Sequence, residues 1–191
     1  VWLSLAGCAP RQLAPPSSPP GPSPAEKAVV KAPTPSPPRP ETPFITKEEA
    51  VLLREDFEDG RADGWALEPG WGVELEDGDY VLSGSGHSWA HPGASKWTDY
   101  TIETNIKLLA GSFHFNFRHN QGEFFSRYFL GVHRGGFYLG KQIGEDFFRL
   151  VQSQETLDLN RWYQVRIALD GNNIKVYLND ALKIDYTDDD I

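Results

Sequence analysis

The chain has 191 residues, 39% hydrophobic and 24% charged, with a mean hydropathy of −0.46; no apolar run approaches the roughly 18 residues of a membrane-spanning helix, and the length requires no second core. The net charge of −9 is uneven, because residues 1–46 carry Arg11, Lys27, Lys31 and Arg39 against Glu26 and Glu41, a balance of +2 that leaves −11 for the rest. A domain that acidic repels phosphate backbones, which argues against nucleic acid as a partner.

Residues 1–8 read Val-Trp-Leu-Ser-Leu-Ala-Gly-Cys, and the chain contains no methionine, so residues are expected to precede Val1. An apolar run that ends in small residues has the form of the distal half of a secretory signal. Leu5-Ala6-Gly7-Cys8 resembles the lipobox of bacterial lipoproteins, which implies cleavage before Cys8 and a diacylglycerol on its thiol. Cys8 is the sole cysteine; it can form no disulfide within the chain, and a bare extracellular thiol is a liability that lipidation removes. Stable anchoring needs more than one acyl chain, and lipoprotein processing supplies more than one. The resemblance implies a lipid-anchored protein of the bacterial cell envelope, outside the cytoplasm, that meets the membrane through Cys8 alone. Ala9 after the cysteine is compatible with the outer membrane or an outer surface.

From Pro10 to Pro43 lie 13 of the 15 prolines, with Ser, Ala and Thr and no aromatic residue. Proline removes amide donors and favours polyproline II, so residues 9–46 are expected to be a disordered linker without a core. At about 3.1 Å per residue it reaches up to roughly 100 Å. A ligand for aromatic-groove modules is the alternative reading of such a tract.

Residues 47–191 are expected to form the folded domain. Ile102, Thr104, Ile106 and Leu108 alternate with Glu103, Asn105 and Lys107, and Phe113, Phe115 and Phe117 alternate with His114, Asn116 and Arg118. Period two marks half-buried strands. Asp77-Gly78, Asp170-Gly171 and Asn179-Asp180 separate such runs with residues that tolerate the positive φ of tight hairpins. Ten to twelve strands and no helix are expected, with at most a short turn at Lys47 to Leu53. Many strands with one apolar face each must stack as two antiparallel sheets: the fold class is an all-β sandwich, a jelly roll.

Asp56-Phe57-Glu58-Asp59-Gly60, Gly64-Trp65, Gly72-Val73, Asp77-Gly78-Asp79-Tyr80-Val81-Leu82, Tyr100-Thr101-Ile102-Glu103 and Phe117-Arg118, with Asn160-Arg161-Trp162-Tyr163-Gln164-Val165-Arg166-Ile167 and Ile174-Lys175-Val176-Tyr177-Leu178-Asn179-Asp180, resemble the concanavalin A-like (laminin G-like) sandwich group from about residue 53 onward. The resemblance implies core positions for Trp65 and Trp162. It also implies a further closing strand, which leads us to expect a domain truncated at its C-terminus.

Sandwich glucanases use a Glu-x-Asp-x-x-Glu strand whose spacing points its carboxylates into one cleft, and Glu74-Leu75-Glu76-Asp77-Gly78-Asp79 lacks that spacing. A Gly-x-Ser-x-Gly nucleophile motif and a His-x-x-x-His helix are also missing; His87 and His91 stand four apart beside Gly86, Pro92 and Gly93, where a helix is disfavoured. No catalytic residue, metal or cofactor is assigned. The resemblance leaves open a structural Ca²⁺ at Glu58 and Asp59, against a plain acid-capped turn.

The candidate ligand-binding residues are His114, Asn116 and Arg118 on one strand, with Arg127, Tyr128 and His133 on the next. If the three phenylalanines face the core, the first three line the opposite face; Arg127 and His133 then share a side, with Tyr128 on the other. Hydrogen-bonding groups beside an aromatic platform suit sugars, which present hydroxyls and C–H faces, although an exposed polar face is also the default of any sandwich. Trp89 and Trp97 are candidate exposed anchors. The expected function is a monomeric, non-catalytic module that binds carbohydrate or another cell-surface ligand. The alternatives are a glycoside-degrading enzyme similar to the 3-keto-disaccharide hydrolase family and an adhesive, protein-binding module.

Overall fold

The computed structural model describes residues 50–93, 96–120, 122 and 125–189, and the backbone of residues 2–5. Cys8 and the proline-rich linker lie outside the described residues. Within them every regular element is a strand: β1 (Trp2–Leu5), β2 (Ala66–Leu67), β3 (Trp71–Glu76), β4 (Asp79–Gly84), β5 (Trp89–His91), β6 (Tyr100–Lys107), β7 (Ser112–Asn120), β8 (Ser126–His133), β9 (Gly136–Ile143), β10 (Asp146–Gln152), β11 (Trp162–Asp170), β12 (Asn173–Leu178) and β13 (Ala181–Thr187).

Two antiparallel sheets form the sandwich, as expected from the alternation. One has seven strands in the order β10-β9-β8-β7-β1-β5-β2, the other four in the order β13-β12-β11-β6, and β3 and β4 make a separate hairpin. The hairpin turns follow local chemistry. Asn179 and Asp180 take φ of 47° and 65° between β12 and β13, and Asp77 and Gly78 take 54° and 101° between β3 and β4, the left-handed region that tight two-residue turns require.

Phe113, Phe115 and Phe117 of β7 point inward with Leu130 and Val132 of β8 and Phe137 and Leu139 of β9. They meet Val165, Ile167 and Leu169 of β11, Ile174 and Val176 of β12 and Ile184 of β13. Burying each such side chain stabilises the fold by about 1.5–3 kcal/mol, so this interface between the sheets fixes which face of β7 and β8 is left outside.

At one end of the core the sheets are bridged by Asp188, just past β13. Its Oδ2 accepts hydrogen bonds from the Tyr128 hydroxyl at 2.6 Å and from Lys141 Nζ at 2.8 Å. Tyr128 therefore belongs to the interior. Burial, and then the Asp188 carboxylate, raise its hydroxyl pKa, so it remains a neutral donor.

Trp2–Leu5, read in the sequence as the end of a secretory signal, is a strand here. Leu3 pairs with Ala90 of β5 on one side and with Phe115 of β7 on the other. The seven-stranded sheet thus draws one strand from outside residues 47–191, and cleavage before Cys8 would remove it.

Candidate functional site

The outer face of the seven-stranded sheet is built mainly by the β7-β8-β9-β10 meander. In β7 the alternation that sends three phenylalanines inward sends His114 and Asn116 outward. Asn116 pairs in register with Phe129 and His114 with Gly131 of β8. Arg127 and Phe129 alternate with the inward Tyr128 and Leu130, and Arg127 pairs in register with Gln142 of β9.

Arg127 is the centre of this face. Its Nη1 donates to Oδ1 of Asn116 at 2.8 Å and its Nε donates to Oε1 of Gln142 at 2.8 Å. Asn116 is fully buried and Arg127 is 5% exposed. Four rings surround the guanidinium, with its central carbon 4.9 Å from the Trp89 ring centroid, 5.3 Å from Phe129, 5.8 Å from Phe147 and 5.9 Å from Phe125. Cation–π attraction to such rings is worth about 0.5–2 kcal/mol each and grows as water is excluded.

Two glycines make room for the rings of Phe129 and Tyr138, which meet edge to face at 5.9 Å. Gly131 stands opposite Tyr138, and Gly140 opposite Phe129; a Cβ at either position would collide with the facing ring. With the side chain absent, each ring covers the neighbouring backbone. His114 stacks on Phe129 at 4.6 Å between centroids, and its Nε2 lies 3.1 Å from the Tyr138 hydroxyl. Arg149 of β10 sits 4.2 Å over Tyr138.

The expected residues divide. His114, Asn116 and Arg127 converge, and His133 joins their rim with its ring 6.1 Å from Tyr138. Arg118 does not join them. Three steps along β7, from Phe117 to Asn120, match two along β8, from Tyr128 to Ser126; the extra residue is a bulge, with Arg118 at φ 47°. Its guanidinium turns to the start of β6, donating from Nε to the Thr98 carbonyl at 2.9 Å and from Nη2 to Asp99 at 3.4 Å. The bulge resets the alternation so that His119 takes the outward place, 6.5 Å from Trp89 and 5.0 Å from Phe125. Tyr128 is likewise corrected: it faces the core, and Phe129 and Tyr138 supply the aromatic floor. Of the candidate anchors, Trp89 lies on this face, whereas Trp97 packs edge-on against Tyr100. Trp65 and Trp162, expected in the core, are only half-buried, against Phe57 and under Lys107.

Burial, and then the Arg127 charge, depress the pKa of both His114 and His119 to about 4. Both rings are therefore neutral at pH 7. Desolvation also lowers Arg127 to about 10, which leaves it protonated. Sequence reasoning missed Phe129, Tyr138, Gln142 and Phe147, because Tyr128 to Val132 is buried on both faces and shows no alternation.

A separate cleft of 1390 Å³ opens between the β3-β4 hairpin and β6, with walls that include Trp71, Leu82, Ile102 and Phe113. Trp71 Nε1 is buried there without a hydrogen-bond partner. Core residues such as Ile102 and Phe113 form part of its walls, and Glu76, Asp99, Glu103, Asn105 and Lys107 line it as well, with Lys107 paired to Glu76. Among the described residues no group of three or more His, Cys, Asp or Glu side chains is placed to hold a metal ion.

The architecture is that of a β-sandwich, a class that includes binding modules. No protein-family model and no curated protein matches the chain. Among solved structures, the carbohydrate binding module CBM66 from Bacillus subtilis is similar, with a TM-score of 0.52 and 21% identity over 65% of this chain and 80% of that one. At this identity the likeness establishes the shared fold.

Proposed function

We propose that this chain is a non-catalytic, carbohydrate-binding module displayed on the bacterial cell surface, tethered by lipid on Cys8 and acting as a monomer. The observation that carries the binding role is the arrangement around Arg127. The exposed Phe147 and the half-buried Trp89 offer apolar ring surface for sugar C–H groups beside His114, Gln142 and Arg149, which offer hydrogen bonds. The fold shared with a carbohydrate binding module supports the same reading. The tether rests on the sequence of residues 1–8 and on the proline-rich spacer behind them, and the processing it implies leaves the β7-β8-β9-β10 face, with Arg127 and Phe147, as the part of the site that does not depend on β1.

A glycan array probed with the full chain tests the binding role. The reading expects a defined set of saccharides to bind and Phe147→Ala, at an exposed position, to weaken them at least fivefold without lowering the melting temperature. Loss of nothing on Phe147→Ala and Trp89→Ala together would remove this face from consideration. For the tether, Cys8→Ala should move the protein from the detergent phase to the aqueous phase; equal partitioning of the variant would refute lipidation.

A further inference from the structure

Among the described residues, the well-buried cations other than Arg127 face carboxylates. Lys107, with 6% of its side chain exposed, meets Glu76; Lys141, at 11%, meets Asp188; Arg118, at 13%, meets Asp99. Arg127 is as buried as any of them and has only the neutral amides of Asn116 and Gln142, with rings around it. A guanidinium removed from water without a counter-charge is costly, and neutral partners recover only part of that cost. Its Nε and Nη1 engage those two amides.

Imidazole rings surround Arg127. The chain's five histidines gather on or beside this face: His114 and His119 against the aromatic floor, His133 beside Tyr138, and His87 and His91 close enough to His114 and His119 to oppose their protonation. Arg149 adds a second guanidinium, hydrogen-bonded to the neutral Gln152. Glu68 is the carboxylate at the rim; it accepts the Trp89 amide at 2.9 Å and lies toward His91. Arg127 and Arg149 are thus the cations of this partly dry face, in a chain whose net charge is −9.

We propose that the saccharide taken by this face is acidic, with a uronate carboxylate as the missing counter-charge of Arg127. The proposal rests on the carbohydrate-binding reading and specifies its ligand class. A carboxylate approaching Nη2 completes a charge-assisted pair that is strong because the surroundings exclude water. The sugar ring then lies against the exposed Phe147 ring, and Arg149 is available to a second acidic residue of the saccharide. A neutral sugar would leave the guanidinium charge uncompensated.

Calorimetric titration of the full-length protein with oligogalacturonate, with its carboxyl-reduced neutral counterpart and with polyglutamate separates the possibilities. The proposal expects oligogalacturonate to bind, carboxyl reduction to weaken it at least tenfold, and polyglutamate to bind at least tenfold more weakly than the uronide. Arg127→Gln should lose binding at least tenfold, and Arg127→Lys should retain part of it. Should the variants fail to fold, the comparison of native and carboxyl-reduced ligand on the wild-type protein still decides. Equal binding of the two ligands, or binding confined to neutral glycans, overturns the acidic ligand and leaves the carbohydrate reading standing. Polyglutamate bound as tightly as the uronide overturns it in favour of simple charge attraction. Failure of every saccharide to bind overturns both.

Discussion

Arg127 and Asn116 face each other across β7 and β8, and the hydrogen bond from Nη1 to Oδ1, 2.8 Å long, is buried from solvent. An amide therefore stands where an ion pair would ordinarily have a carboxylate. The charge of Arg127 is positioned by this contact without being neutralised by it, which is what a site for an anionic ligand requires.

Asn116→Asp should convert the amide into an internal counter-ion. Folding should be retained, because the acceptor oxygen survives and gains a charge-assisted bond. Saccharide binding should fall at least tenfold. Calorimetry with the ligands above, beside a thermal melt, checks both.

Stability should depend on pH through His114 and His119. Each has its folded pKa lowered to about 4, first by burial, against about 6.5 when unfolded. Between these values the unfolded chain takes up protons that the folded chain refuses, so stability is full above about pH 6.5 and declines as pH falls toward 4. After allowance for partial solvent screening, about 1–2 kcal/mol should be lost across that window. Arg127 acts on both rings, His87 and Tyr138 face His114, and His91 is among the charges acting on His119. Urea denaturation at a series of pH values, for the wild type and for His114→Phe with His119→Phe, measures the difference.

Tyr128→Phe should destabilise without touching the ligand. It deletes the 2.6 Å donor to Asp188 while the Lys141 bond remains, a loss of about 1.5–3 kcal/mol for a hydrogen bond to a charged group. Chemical denaturation gives the loss, and unchanged saccharide affinity confirms that Tyr128 belongs to the core.

Arg118→Ala should behave in the same way. The side chain ties the β7 bulge to Thr98 and Asp99, and Asp99 in turn accepts the Gly171 amide at 2.8 Å. A lower melting point, corresponding to about 1–2 kcal/mol, with intact binding is expected.

Much of the sandwich was legible in the sequence. The alternation of Phe113, Phe115 and Phe117 gave the inward face of β7, and Asp77-Gly78 and Asn179-Asp180 gave two hairpins, because strand period and turn chemistry are local. Arg118 was misplaced because a bulge adds one residue, and a single insertion reverses every following side chain. The aromatic floor had a signal that was not used: about the turn at Arg134 and Gly135, Gly131 mirrors Tyr138 and Gly140 mirrors Phe129, the pattern of rings lying across bare backbone. The Arg127 centre joins the β7-β8-β9-β10 meander to Trp89 of β5, and that contact, between residues far apart in sequence, leaves no local trace.

The central claim is that saccharide binds on the outer face around Arg127, and the tryptophan indole resonances report on it most directly. In an ¹H–¹⁵N correlation spectrum titrated with oligogalacturonate, the Trp89 indole should shift with saturation while those of Trp65, Trp97 and Trp162 stay in place. Movement of the Trp97 and Trp71 indoles with Trp89 unmoved would put the ligand in the cleft beside β6 and contradict the account.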